Sequence, residues 1–197
     1  MQKELSEMTL EELWQLFPIV LVAHQIEWKD WYQEEVEILK GLLPEDGVAA
    51  IYHIGSTAIT TIMAKPIVDI LIELNDCTPL TAIKDILITN GYLWMSENER
   101  RVSLNKGYTK NGYAKKVFHV HLRKKGDIDE VYFRDYLLSH LDIAKAYETL
   151  KLSLGQQYPH HRDHYTEGKT DFVKNITSLA KKQISSQNQE NVKEEKR

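Results

Sequence analysis

The sequence predicts a single α/β domain in which helices cover a mixed sheet and the C-terminal third is helical. Three observations predict it. Short apolar runs of strand length lie between about 48 and 122, separated by turn residues. Helical periodicity precedes them and takes over again from about Asp129. Hydrophobic residues make up 42% of the 197 residues, with ten Tyr, four Trp and four Phe, which is enough apolar bulk for one core.

Thr9-Leu10-Glu11-Glu12 has the spacing of a capping box. Leu10, Leu13, Trp14 and Phe17 follow at helical spacing until Pro18 stops the helix. Residues 18–23 read as a strand or extended segment. Trp28, Trp31, Tyr32, Val36, Leu39 and Leu43 recur every three or four positions, so 27–43 is an amphipathic helix. After the turn Pro44-Glu45-Asp46-Gly47, residues 48–54 read as a strand, Gly55-Ser56-Thr57 as a turn and about 57–64 as short helix or coil. Residues 67–72 are β-branched and almost wholly apolar, a strand buried on both faces and interrupted by one charge, Asp69.

Thr78-Pro79 reads as a cap and first helical position, and Gly91 closes that helix. Residues 92–95 and 100–105 are strands. Asn111-Gly112 marks a hairpin leading into the strand 115–122. Helices follow around Val131 to Leu137, Ile143 to Leu154 and Tyr165 to Leu179. Residues 185–197 are polar without periodicity and are expected to be disordered.

Composition narrows the function classes. No run approaches the roughly 18 to 20 apolar residues that cross a bilayer, and the opening Met-Gln-Lys-Glu-Leu-Ser-Glu is too acidic and polar for a signal peptide. The lone Cys77 excludes an internal disulfide and suits a reducing cytoplasm. A net charge of -4 argues against binding duplex nucleic acid, while leaving room for a local basic pocket that takes one nucleotide. Neither duplex nucleic acid nor a membrane is expected as a partner.

Four places carry chemistry. Gly55-Ser56 follows a strand, where a glycine permits a sharp turn and free amides with a serine hydroxyl can hold a phosphate. The other reading is an ordinary turn with a serine cap. Asp69 sits in an apolar strand, where a carboxylate must be paired, hydrogen-bonded or metal-bound. In His119-Val120-His121 both imidazoles face one way, their Cα atoms about 6.6 Å apart at about 3.3 Å per residue. They converge on one ion or phosphate, or form a solvent-facing stripe. The run His160-His161-Arg162-Asp163-His164-Tyr165 follows Pro159 at a helix entry and points in several directions, so it reads as a solvated helix start or an anion rim. Tyr165 and Lys169 share a helix face.

His53-Ile54-Gly55-Ser56-Thr57-Ala58-Ile59, followed by Ala64-Lys65-Pro66-Ile67-Val68-Asp69-Ile70, resembles the signature of the GrpB family, which is placed by fold in the nucleotidyltransferase-like superfamily and has no firmly assigned reaction. The resemblance extends through Phe118-His119-Val120-His121, Phe133-Arg134-Asp135-Tyr136-Leu137, Tyr147, Lys151, Tyr165, Lys169 and Phe172, over about residues 20 to 180. It implies a nucleotidyltransferase-like α/β fold as one GrpB domain over 1–184, its sheet core at about 48–122 and its helical part at 129–184. Two positions depart. Thr60-Thr61 stands where the family has Pro-Gly, and Leu71 stands where the superfamily has its second carboxylate. Glu73 lies about 13 Å along the strand from Asp69 and does not replace it.

The resemblance implies two functional readings. In one, an enzyme transfers a nucleotidyl or phosphoryl group: Asp69 is catalytic, Gly55, Ser56, Thr57 and Lys65 hold phosphate, and Arg100, Arg101, Tyr165 and Lys169 supply further contacts. Asp69, His119 and His121 then hold a divalent metal, Mn²⁺, Mg²⁺ or Zn²⁺, with the histidines favouring a transition metal. In the other, a binding module keeps the pocket for a nucleotide or phosphorylated metabolite without the chemistry.

Overall fold

A computed structural model describes residues 3–194 and their side chains as far as Gln187. The strands are β1 (Val48–Ile54), β2 (Val68–Leu74), β3 (Leu93–Glu97), β4 (Arg101–Thr109) and β5 (Gly112–Lys124). They form one sheet in the order β1-β2-β5-β4-β3. Only β2 and β5 run parallel; the remaining neighbours are antiparallel. The apolar run at 68–74 becomes an inner strand, as burial on both of its faces requires.

Alternation of side chains divides the sheet into two unlike faces. Val68, Ile70, Ile72 and Leu74 of β2, Phe118, Val120 and Leu122 of β5, and Val102 and Leu104 of β4 form one apolar face. Helix α2 (Glu27–Leu42) covers it with Trp28 and Leu39, and α3 (Leu80–Thr89) with Leu80, Ile83 and Leu87. The opposite face carries Asp69, His119 and His121, together with Leu71, which packs with Ile54 and Val131.

The C-terminal helices lie against that second face. They are α4 (Asp129–Ser139), α5 (Leu141–Gln157), α6 (Arg162–Glu167) and α7 (Thr170–Glu194). Phe133, Leu137, Ala144, Tyr147 and Ile176 close a second core over Ile59 and Ile62. A short N-terminal helix, α1 (Leu10–Leu16), begins at the capping box of Thr9 and Glu12. The segment after it is extended; Val22 bridges Ala64, the Ile19 amide donates to the Pro159 carbonyl at 2.8 Å, and the Ile19 side chain packs with Leu154 and Tyr165.

The class, the helix-covered mixed sheet and the helical C-terminal part are those the sequence predicts. Several details differ. Pro79, not Thr78, caps α3. The turn joining β4 to β5 lies at Lys110-Asn111, one residue before the expected pair, and Gly112 follows at φ 101°. The last predicted helix is two, split at Gly168-Lys169. Residues 185–194, expected to be disordered, continue α7. That stretch has no Gly or Pro, so no strong helix breaker ends the helix where apolar periodicity has already stopped. Residues 195–197 of the predicted tail lie outside the described residues. No described helix is long and apolar enough to cross a membrane.

Candidate functional site

Register brings the strand residues together. Asp69 on β2 lies beside His119 on β5, Leu71 beside His121, and Ile54 beside Asp69 across the β1 edge. The chain therefore leaves β1 at Gly55 directly over the Asp69 carboxylate. Gly55 has φ 70°, and a Cβ there would run into the Asp69 carboxylate. Only glycine satisfies both the backbone angle and the close approach.

Asp69 Oδ1 lies 3.1 Å from His119 Nδ1 and 3.6 Å from His121 Nε2. The three ligand-type atoms all lie within 4.8 Å of one another. Around a tetrahedral ion, with bonds of about 2.0 to 2.2 Å, ligand atoms sit about 3.3 Å apart. The trio therefore fits such an ion with little adjustment. Outer partners orient both rings: His119 Nε2 meets the Tyr108 hydroxyl at 2.8 Å, and His121 Nδ1 meets Ser103 Oγ at 3.4 Å. Burial lowers the His119 pKa to about 4, with Asp69 opposing the shift, so that ring is neutral at physiological pH. Burial opposes ionisation of Asp69, but hydrogen bonds from both histidines outweigh it and hold the carboxyl below the ordinary range.

Beside this trio is a cavity of about 240 Å³. Gly55, Ser56, Thr57, Lys65, Asp69, His119, Tyr165 and Lys169 line it. The Ser56 and Thr57 amides have no acceptor among the described residues, whereas the Thr57 hydroxyl is committed to His53 Nε2 at 3.0 Å. Tyr165 is buried between two cations, with Lys169 Nζ 4.2 Å and Lys65 Nζ 5.6 Å from its ring centre. Burial and neighbouring cations lower Lys65 to about 7 and Lys169 to about 8.

Arg100 and Arg101, expected as anion contacts, are elsewhere. Arg101 pairs with Arg123, four residues beyond His119 on β5, and its guanidinium grips Asp127 at 2.6 and 2.9 Å. Arg100 approaches the same carboxylate at 4.0 Å. Four strand residues separate these arginines from the cavity's level by about 13 Å. Glu73 is engaged elsewhere too, accepting from the Gly126 amide at 2.7 Å and the Tyr52 hydroxyl at 3.2 Å.

Sequence reasoning missed three lining or supporting residues, Tyr147, Lys151 and Tyr108, and read Arg162 only as part of a run that is either a solvated helix start or an anion rim. The family pattern marks Tyr147 and Lys151 without giving them a role. Lys151 of α5 is 2% exposed, and its Nζ donates to Ser56 Oγ at 2.9 Å and to the Met63 carbonyl. Arg162 lies 5.9 Å from the Tyr108 ring centre. Of the histidine-rich run, only Arg162 and Tyr165 line the cavity; His161 stacks on His164 at 3.8 Å and on Trp14 at 4.2 Å. Among the described residues, Lys65, Lys151, Arg162 and Lys169 form no ion pair with a carboxylate.

A family model described as GrpB protein matches residues 18–179. The chain belongs to the GrpB family. YqkA of Bacillus subtilis is 32% identical over 188 residues, 92% of this chain and 54% of that protein. The chain thus spans about half the length of that relative. The glutamate-rich protein GrpB of Alkalihalophilus pseudofirmus is 31% identical over 164 residues, 80% of this chain and 93% of that protein. A crystal structure of GrpB from Enterococcus faecalis superposes with a TM-score of 0.72 at 29% identity, covering 84% of this chain and 99% of that one. An MgATP-bound Cid1 poly(U) polymerase matches more distantly, at a TM-score of 0.48 and 12% identity over 69% of this chain and 43% of that one, a likeness that carries no argument about chemistry.

Proposed function

We propose that this GrpB domain binds a phosphorylated small molecule, a nucleotide or a phosphometabolite, beside one divalent transition-metal ion and transfers its phosphoryl or nucleotidyl group. One observation carries the reading: four cations, Lys65, Lys151, Arg162 and Lys169, surround a cavity whose lining has a single carboxylate, Asp69. Unpaired buried charge is costly, and an anionic ligand removes the cost. At about 240 Å³ the cavity is smaller than the roughly 300 to 1,000 Å³ of drug-sized sites, so it suits the phosphates of a nucleotide or a small phosphorylated metabolite.

Asp69, His119 and His121 would hold the ion; when bound, it supplies Lewis-acid neutralisation of a phosphoryl oxygen. Lys65, Lys169 and Arg162 bind and orient the phosphate, and the Ser56 and Thr57 amides add donors. A transition metal fits the two nitrogen ligands better than Mg²⁺ does. A second reading, a module that binds without transfer, is favoured by Leu71, a fully buried apolar residue at the position where a second carboxylate would stand.

A thermal-shift screen of phosphate, nucleotides and phosphorylated metabolites, each with and without Mn²⁺, Mg²⁺ and Zn²⁺, tests the reading, because a ligand of the folded state raises the melting temperature. The expected result is a joint shift with a phosphorylated compound and Mn²⁺ or Zn²⁺. No shift with any anion at millimolar concentration would rule out the proposal. Binding without turnover in a phosphate-release assay would select the second reading.

A further inference from the structure

The proposed transfer needs a base, and the site's obvious candidates are already engaged. The only carboxylate lining the cavity, Asp69, lies against both histidines. Each imidazole has its second nitrogen directed at a hydroxyl, His119 at Tyr108 and His121 at Ser103. Tyr147 also hydrogen-bonds Ser56, but burial raises its pKa and keeps it protonated, so the remaining candidate is an amine. Lys151 reaches across from α5 and places Nζ 2.9 Å from Ser56 Oγ. The Met63 carbonyl holds the same nitrogen in place, and the Tyr147 ring centre lies 5.0 Å away. Glu148, the nearby carboxylate on the same helix, is committed to the Met63 amide at 2.5 Å and to Lys145 at 2.8 Å.

We propose that Ser56 is a covalent nucleophile activated by Lys151, and that the transferred group passes through an ester on the Ser56 oxygen. The inference rests on the phosphoryl-transfer reading above. A serine hydroxyl is a weak nucleophile until an adjacent base takes its proton, and a buried lysine beside other cations supplies that base. Burial, with Lys169 next in weight, lowers Lys151 to about 7, so an appreciable neutral fraction exists at physiological pH.

The step balances as follows. The Ser56 proton moves to Lys151 Nζ as Oγ bonds the phosphorus of a phosphoanhydride donor. The bond from phosphorus to the leaving oxygen breaks with its electron pair on that oxygen, which takes the proton back from Lys151. An acceptor hydroxyl or water then attacks the phosphoseryl group, its proton passing through Lys151 to the Ser56 oxygen.

The test uses the full chain and an alkyl fluorophosphonate at about pH 8, where most of Lys151 is neutral, read by intact mass and peptide mapping. The expected result is a single adduct on Ser56 with loss of fluoride and none in Ser56→Ala. In Lys151→Met, a variant of similar shape without the buried charge, labelling falls about 100-fold or more. Lys151→Arg keeps a cation but has no neutral form at that pH, so it loses labelling while retaining inorganic phosphate binding by calorimetry. Melting temperatures show that the variants are folded. Absence of the adduct in the wild-type chain, or an Arg variant labelled as fast as wild type, would overturn the dyad. Phosphate binding without labelling removes only this inference. Labelling of Ser56 without phosphate or metal binding supports the nucleophile and removes the phosphorylated-substrate reading.

Discussion

At the scale of residues, the site depends on contacts one layer behind it. Tyr108 offers the clearest case, because its hydroxyl faces the His119 nitrogen that points away from Asp69. If His119 binds an ion through Nδ1, its Nε2–H donates to Tyr108 and the tautomer is fixed. Tyr108→Phe keeps the ring against Phe17 and Tyr113 and removes the hydroxyl that serves His119, along with its hydrogen bond to Tyr113. Zn²⁺ or Mn²⁺ affinity by calorimetric titration is expected to fall about 10- to 100-fold; an unchanged affinity would show that Tyr108 only packs. Asp69 and the histidine pair were legible in the sequence because one charge in an apolar run and two residues at strand spacing are rare patterns. Tyr108 was not, since a tyrosine in a strand near a hairpin matches any half-buried surface. Lys151 was hidden for the same reason: a cation on an amphipathic helix looks solvated until packing turns it inward.

At the scale of elements, β2 shows how one strand serves two purposes. Its even-numbered residues complete the core under α2 and α3, and its odd-numbered residues pass from Asp69 at the cavity to Leu71 beneath α4. Placing a carboxylate at Leu71 to imitate a two-ion site would bury it against the apolar side chains of Ile54 and Val131. Leu71→Asp is therefore expected to cost about 4 kcal/mol or more in urea unfolding and to create no second metal site. A stable variant that binds two ions would contradict this account of the strand. The same logic explains Arg100 and Arg101. Sequence placed Arg101 on the correct strand, with Arg100 falling just before it, but register, which depends on the partner strand, carried them to Asp127.

At the scale of the whole molecule, a chain with net charge -4 concentrates four cations around one cavity. Burial and mutual repulsion lower Lys65 and Lys151 to about 7 and Lys169 to about 8, all from 10.5. Below about pH 7 these lysines are charged in both folded and unfolded chains, and the cost of burying them is fully present. Between about 7 and 10.5 the folded chain loses protons that the unfolded chain keeps, so their contribution to stability improves as pH rises. A bound anion favours the charged forms, so phosphate binding near pH 8 should take up protons. Calorimetry in buffers of different ionisation enthalpy measures this, and a heat independent of buffer would show that the lysines do not titrate with the ligand. The fold class and strand order of appearance were readable because periodicity is local; the cavity wall was not, because it is contributed by residues far apart in the chain. Ser56 and Lys151 are 95 positions apart, and Asp69 and His119 are 50. That separation has a kinetic consequence. Long-range pairings close late, after the entropy of bringing distant segments together has been overcome. Ligand contacts absent from the folding transition state cannot hasten folding, so phosphate or metal should leave the refolding rate unchanged and slow unfolding alone. Stopped-flow chevrons with and without ligand would show one limb displaced and the other fixed, making the pocket a brake on the opening of the chain.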